Sequence, residues 1–129
     1  MTLKECIAQI CQLRSPSAEA SLLIGYISQC EQRIKTEIID ASADGAEYTF
    51  DRYDELTPED TVLLANDPYG EVYVWYALYM LDTARNNTVS ANNSYAMFTD
   101  AWNRFAAFRR RTHTPPSDGM HSDIYGIKR

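Results

Sequence analysis

The 129-residue sequence has few residues that interrupt helices or strands, and its cysteines do not form a pattern typical of disulfide-bonded folds. It contains five glycines, five prolines and three cysteines, and Cys6, Cys11 and Cys30 form no Cys-x-x-Cys pair. An odd number of unpaired cysteines argues against a disulfide-stapled fold and indicates a reducing compartment. Because 45% of the residues are hydrophobic, a disordered chain is also excluded.

Long apolar runs are missing as well. The longest, Val72–Leu81, has ten residues, whereas a membrane-spanning helix needs about 20. We therefore expect no membrane partner. The run is instead typical of a helix surrounded by other elements of a core.

Positive charge is scarce over most of the chain. The net charge of −6 argues against a protein that coats DNA, which needs a basic face. Residues 40–82 carry eleven acids and one base, whereas residues 101–129 carry six bases and two acids. This segregation has two interpretations. It is either a solvated face or a self-complementary assembly, in which the acidic loop of one subunit meets the basic helix end of the next and closes a ring.

Helical spacing of apolar residues and helix-capping signals predict four main helices. Thr2 and Glu5 have capping-box spacing at the start of the first. The second is predicted from Pro16, after Ser15 as N-cap, to Asp40. The third runs from Pro68, capped by Asp67, to Arg85, and the fourth from Ser90 to Arg111.

The second helix shows the clearest apolar stripe. Its predicted core residues are Leu23, Ile27, Cys30, Ile34 and Ile38, widened by Leu22 and Tyr26. Glu31 and Lys35 are predicted on the opposite, solvent-facing side, as an i,i+4 pair. In the fourth helix, Phe98, Trp102, Phe105 and Phe108 mark the core face.

Between the second and third helices, residues 41–57 change to a polar, acidic composition. We expect an insertion loop here, with room for a short strand or hairpin at Tyr48–Phe50, followed by a short helix opening at Thr57-Pro58. The predicted fold is thus an all-α bundle over residues 1–116, with this long acidic loop. A flexible C-terminal tail is predicted over residues 117–129.

Catalytic and metal-binding patterns are absent from the sequence. It has no nucleophile elbow, no His-Glu-x-x-His, no phosphate loop and no dinucleotide-binding glycines, and His113 and His121 lack ligands at metal-binding spacing. The acids of residues 54–60 are better explained as helix-capping or solvated carboxylates than as an acid–base pair. We therefore expect no enzyme activity, no cofactor and no metal.

The remaining candidates are residues of an interaction surface. Tyrosines on the third helix are explained either as core residues or as interface residues. The candidate interface residues are Asp51, Asp54, Glu55, Glu59, Asp60, Tyr69, Tyr73, Arg109, Arg110, Arg111, Ile124 and Tyr125. As an alternative function, the arginines at the end of the fourth helix would bind nucleic acid in a small regulatory protein.

Four segments, in order, resemble the small head–tail connector (adaptor) proteins of phages and prophages. Residues 19–39 resemble the second helix of that group, with its Glu-x-Arg/Lys-Ile-x-x-Glu-Ile close. Leu63-Leu64 with residues 67–82 resembles its tyrosine-rich helix. Residues 92–98 and 105–113 resemble the start of its last helix and the "Arg-Thr-His" close.

The resemblance implies a structural role without catalysis. Such proteins form rings of about a dozen subunits beneath the portal, extend the DNA exit channel, and offer a platform to a stopper or tail-completion protein. DNA would be only passing channel content. The expected location is the host cytoplasm during assembly and then the neck of the virion. The tail would fold on binding the portal.

Overall fold

Helices form the regular structure of the described part of the chain. The computed structural model describes residues 1–14 and 19–113. Its four α-helices are α1 (Leu3–Leu13), α2 (Ala20–Glu37), α3 (Glu71–Ala84) and α4 (Thr88–Thr112). Two short 3₁₀ helices, Ile39–Ala41 and Gly45–Glu47, follow α2. These residues form no strand, only an isolated bridge between Thr2 and Val62, so the predicted all-α class is confirmed.

Helix α1 begins with the predicted capping box. The Thr2 hydroxyl accepts a hydrogen bond from the Glu5 N–H, and the Glu5 carboxylate accepts one from the Thr2 N–H. This reciprocal pair satisfies two amides that the first helical turn leaves unpaired. Its buried residues, Leu3, Cys6 and Ile10, then face the core.

All five residues of the predicted stripe are buried, four within α2 and Ile38 at its C-cap, and Tyr26 is buried with them. Two predictions for this helix were wrong. Leu22 is exposed, so it does not widen the stripe. Glu31 is completely buried rather than solvent-facing, because it follows Ile27 by four positions and precedes Ile34 by three, and so lies on the core face.

Helix α3 lies at the centre of the bundle and contacts α1, α2 and α4. Its side chains are buried around most of the helix, as the apolar run predicts: Val72, Tyr73, Val74, Tyr76, Ala77, Leu78 and Leu81 are all in the core. Phe98 and Phe105 of α4 pack against this centre, whereas Trp102 and Phe108 are half-buried.

A tight connection joins α3 to α4. Asn86 adopts a left-handed backbone conformation, with φ of 58°, which asparagine tolerates better than most residues. The Asn87 side chain then accepts the Ser90 N–H and caps α4. The two helices can therefore pack as an antiparallel pair along the face that carries the α4 aromatics.

A partly buried ion pair, with Asp82 inside the bundle and Arg14 at its edge, connects the end of α1 to this helical pair. The Arg14 guanidinium donates to both carboxylate oxygens of Asp82, at 2.8 and 2.6 Å, and Ser94 donates to the same carboxylate at 3.0 Å. The hydrogen bonds from Arg14, more than any other contact, hold the pKa of Asp82 below its usual range. The buried Asp82 carboxylate therefore has hydrogen-bond donors for both of its oxygens and can remain charged inside the bundle.

One prediction between α2 and α3 was wrong, because no helix begins at Thr57. Backbone groups of residues 59–63 instead pair with the start of α1: the Leu3 N–H donates to the Thr61 carbonyl, and the Leu63 N–H donates to that of Met1. The predicted loop forms without a strand at Tyr48–Phe50. Helix α3 begins at Glu71, three residues after the predicted start at Pro68, because residues 66–69 form a turn and the Asp67 carboxylate faces the Met1 amino group, 3.3 Å away.

Two other predictions lie outside the described residues. The first is the Ser15–Pro16 start of the second helix, which the structure describes from Ala20 onward. The second is the C-terminal tail, with the candidate interface residues Ile124 and Tyr125.

Candidate functional site

The feature that sets this bundle apart is an irregular stretch held against α2 and α3, here called the acidic segment (residues 42–65). Its inner side is fixed by the Glu31 carboxylate. This carboxylate accepts hydrogen bonds from the Tyr73 hydroxyl at 2.6 Å, the Tyr53 hydroxyl at 2.8 Å and the Leu64 N–H at 2.9 Å. One buried side chain of α2 thus connects α3 to two points of the acidic segment.

Further hydrogen bonds extend this network. The Tyr73 hydroxyl accepts the Ala65 N–H at 2.7 Å, and the Ser28 hydroxyl accepts the Tyr53 N–H at 3.1 Å. Three backbone amides of the acidic segment, at Tyr53, Leu64 and Ala65, therefore find acceptors on helix side chains. The segment needs no neighbouring strand to satisfy these amides.

The Glu31 site is electrostatically unusual because no cation balances it among the described residues. Burial raises the pKa of Glu31 above its ordinary value, and the hydrogen bonds from Tyr73, Leu64 and Tyr53 lower it in part. Burial, with the nearby carboxylate, also raises the pKa of Tyr73 and Tyr53. Both phenols therefore remain donors.

The end of α4 provides a second attachment for the acidic segment. The buried Arg109 guanidinium reaches Asp44 at 3.3 Å and stacks over the Tyr48 ring, 5.1 Å from its centre. His113 lies 3.6 Å from the same carboxylate. Between α2 and this contact, Gly45 has no space for a side chain, since a Cβ there would lie 2.7 Å from the Ile39 carbonyl oxygen.

This contact changes the interpretation of the charge segregation. Part of the opposite charge is already paired within one chain, through Arg109 with Asp44 and through Arg104 with Glu71. Arg110 and Arg111 are exposed at the end of α4. At the end of α4, two of the three consecutive arginines that the sequence predicts as interface residues, Arg110 and Arg111, are therefore open to a partner.

The outer side of the acidic segment carries the predicted acids. Each of them is exposed: Asp51, Asp54, Glu55, Glu59 and Asp60. Leu56 lies within the same stretch of chain, and its side chain is 90% exposed. These five candidates and Leu56 are thus all exposed within residues 51–60.

Three other candidates lie elsewhere. Tyr73 has no exposed surface, so it belongs to the core. Arg109 is also buried, because it is used to attach the acidic segment. Tyr69 is half-buried and stacks on Phe108, with ring centres 4.7 Å apart. As partner-facing residues, Tyr73 and Arg109 were wrong predictions.

Glu31 and Leu56 are the two residues that the sequence prediction missed. The signal for Glu31 was its position in the series Ile27, Glu31, Ile34 and Ile38, which places a carboxylate on the core face. The signal for Leu56 was a single large apolar residue within a run of acids and turn residues.

Two of the three cysteines are buried in the core. Burial raises the pKa of Cys6 to about 12 and that of Cys30 well above its usual value, so both thiols are protonated core side chains. Within residues 1–14 and 19–113, no cluster of metal-ligating side chains is present. No helix in the same ranges is long and apolar enough to cross a membrane.

The acidic segment thus combines an inner side anchored by hydrogen bonds with exposed carboxylates and an exposed leucine on its outer side. Comparisons of the chain with protein families, with curated proteins and with solved structures found no match.

Proposed function

We propose that this protein is a structural subunit of a phage or prophage head–tail connector. In that role it would assemble into a ring under the portal, extend the DNA channel, and offer a docking platform to a stopper or tail protein. The proposal rests on two grounds. The first is the resemblance of residues 19–39, 63–64 with 67–82, 92–98 and 105–113 to connector proteins. The second is a structure that offers surfaces for contact with other proteins.

The observation that carries the proposal is the anchoring of the acidic segment. An irregular stretch of 24 residues (42–65) would ordinarily be mobile. Here Glu31 and Arg109 fix it to α2, α3 and α4 through buried polar contacts. A fixed irregular surface lowers the entropic cost of forming a permanent contact, which suits a subunit of a particle.

Charge supports the same role. The exposed acids repel phosphate, so any part of this surface that faced a channel would not hold passing DNA. A surface that meets a neighbouring subunit would instead use the same acids for complementary pairing. Either position is compatible with a connector ring.

The alternative function, binding of nucleic acid by the end of α4, has weaker support. Arg109 is buried against Asp44 and Tyr48, which leaves Arg110 and Arg111 exposed at this end of the helix. Two phosphate contacts would give only a shallow dependence of affinity on salt, and the acids of residues 51–60 would oppose binding.

The proposal is tested by light scattering of the full chain mixed with the portal ring encoded beside it in the same genome. We expect the mass of the ring to rise by a multiple of 14.7 kDa, with saturation. A portal mass that stays unchanged at saturating protein contradicts the proposal. Salt-sensitive binding to duplex DNA, lost in the Arg110→Ala/Arg111→Ala variant, would then favour the alternative.

A further inference from the structure

We propose that two copies of this chain meet head to tail, with Leu56 of one copy seated in a groove at the end of α4 of the next. The inference deepens the proposed function, because a ring requires such a contact, but its test needs no portal. The contact joins two different surfaces of the same chain. Such contacts close into rings when the rotation between copies permits.

The first surface is a tip held in one shape by its own turn. Asp54 accepts the Leu56 N–H at 2.8 Å, and the Thr57 hydroxyl accepts the Asp54 N–H at 2.9 Å. Leu56 is thereby presented to solvent with 90% of its surface exposed. An exposed apolar side chain that is preceded and followed in the chain by exposed acids has the composition of an interface anchor with a polar edge.

The second surface is a groove between the end of α2 and the last turns of α4. It has a volume of about 430 Å³, and its apolar walls are Ile38, Ala41 and Ala106. Arg109, Arg110 and His113 also line it. Glu37 lines the groove too, but Arg33 pairs with it at 3.2 Å. A groove with apolar residues and the exposed Arg110 in its lining is complementary to an apolar residue flanked in the chain by acids.

The two surfaces lie at opposite ends of α2. Glu55, next to the tip, shares a pocket with Ser21 and Ile24 near the start of the helix, whereas the groove begins at Glu37. At 1.5 Å per residue, Ile24 and Glu37 are about 20 Å apart along the helix. This distance separates the tip from the groove of the same chain, so the tip would enter the groove of a second copy. In that contact, Asp54, Glu55 and Glu59 of one copy would lie near Arg110 and Arg111 of the other.

Val89 provides a matched control. It is a large apolar residue in the first turn of α4, and 82% of its surface is exposed. Its neighbours along the chain are uncharged from Asn86 to Phe98. Val89 resembles Leu56 in exposure but has no acidic neighbours in the chain, so we expect it to take no part in the contact.

The test is disulfide cross-linking between two single-cysteine chains of different mass. In a Cys11→Ser background, a chain carrying Leu56→Cys is mixed with a tagged chain carrying Ala41→Cys and oxidised with diamide. The other native cysteines are buried. Docking raises the effective concentration of the two thiols, so we expect on the order of tenfold more heterodimer than from the Val89→Cys and Ala41→Cys pair. Equal yields from both pairs would overturn the inference.

Charge reversal provides a second readout on the same cysteine pair. Arg110→Glu/Arg111→Glu in the groove chain should abolish the excess heterodimer. Glu55→Arg/Glu59→Arg in the tip chain, which leaves the Asp54 turn intact, should restore it, and added salt should weaken the native pairing. If neither charge reversal changes the yield of cross-linked heterodimer, the proposed charge pairing is contradicted. If the pair cross-links but the portal does not bind, the contact stands and the connector function fails.

Discussion

The inner and outer sides of the acidic segment use similar residue types for different purposes. On the inner side, Glu31, Tyr53 and Tyr73 form a buried hydrogen-bond network that fixes the backbone. On the outer side, carboxylates from Asp51 to Asp60 are exposed, as is Leu56 among them in the chain. Position, not residue type, therefore separates the groups that hold this fold from the groups available to a partner.

The comparison predicts separable effects. Changes on the inner side should lower the free energy of unfolding, because they leave buried donors or acceptors unpaired. Changes on the outer side should leave that free energy nearly unchanged, because exposed side chains contribute little to folding. Self-association should instead be weakened by changes on the outer side and left nearly unchanged by those changes on the inner side that keep the chain folded.

The largest expected effect is that of Glu31→Ala. The substitution leaves two tyrosine hydroxyls and the Leu64 N–H without their acceptor, and we expect a loss of about 3 kcal/mol in the free energy of unfolding. Urea denaturation followed by circular dichroism measures the change.

Glu37→Ala is the matched control, since it is the same substitution on the same helix. Glu37 is half exposed and pairs only with Arg33, so its loss should cost about 0.5 kcal/mol or less. If both variants lost the same small amount, the Glu31 network would not hold the segment.

The second expected effect is a dependence of stability on pH. Because burial raises the pKa of Glu31 above its ordinary value of 4.5, the protonated carboxyl is favoured in the folded state. Its contribution is fully present below the ordinary value and is lost as pH rises through the folded-state pKa. The free energy of unfolding of the native chain should therefore fall over that range relative to Glu31→Gln.

The opposite sign applies to Asp82, which serves as the control. Its pKa is lowered, chiefly by the hydrogen bonds from Arg14, so its contribution is present above the ordinary value of 3.8 and is lost as pH falls through the folded-state pKa. As pH falls through this range, the free energy of unfolding of the native chain should therefore decrease relative to that of Asp82→Asn. Parallel pH profiles for the native chain and Glu31→Gln would contradict the role given to Glu31.

Much of the helical core was predictable from the sequence, because its signals are local. The capping box at Thr2, the stripe from Leu23 to Ile38 and the apolar run at Val72 each depend on residues within a few turns of one another. Such patterns fix a helix and its buried face without knowledge of the rest of the chain.

The acidic segment was not predictable in the same way, because its structure depends on distant partners. Residues 59–63 pair with the start of α1 instead of forming the helix that Thr57-Pro58 suggests. Arg109 pairs with Asp44, 65 positions earlier in the chain. These contacts exist only after the helices have packed, so local propensity gives the wrong answer at Thr57 and at Arg109.

The most direct test of the account is the light-scattering mass of Leu56→Glu, measured as a function of concentration beside its free energy of unfolding. Leu56 is almost fully exposed, so we expect a stability within about 0.5 kcal/mol of the native chain and a mass that stays at the monomer value where the native chain self-associates. Tyr53→Phe should do the reverse, losing about 1 kcal/mol of stability while assembling normally. A Leu56→Glu variant that assembles like the native chain would contradict the account.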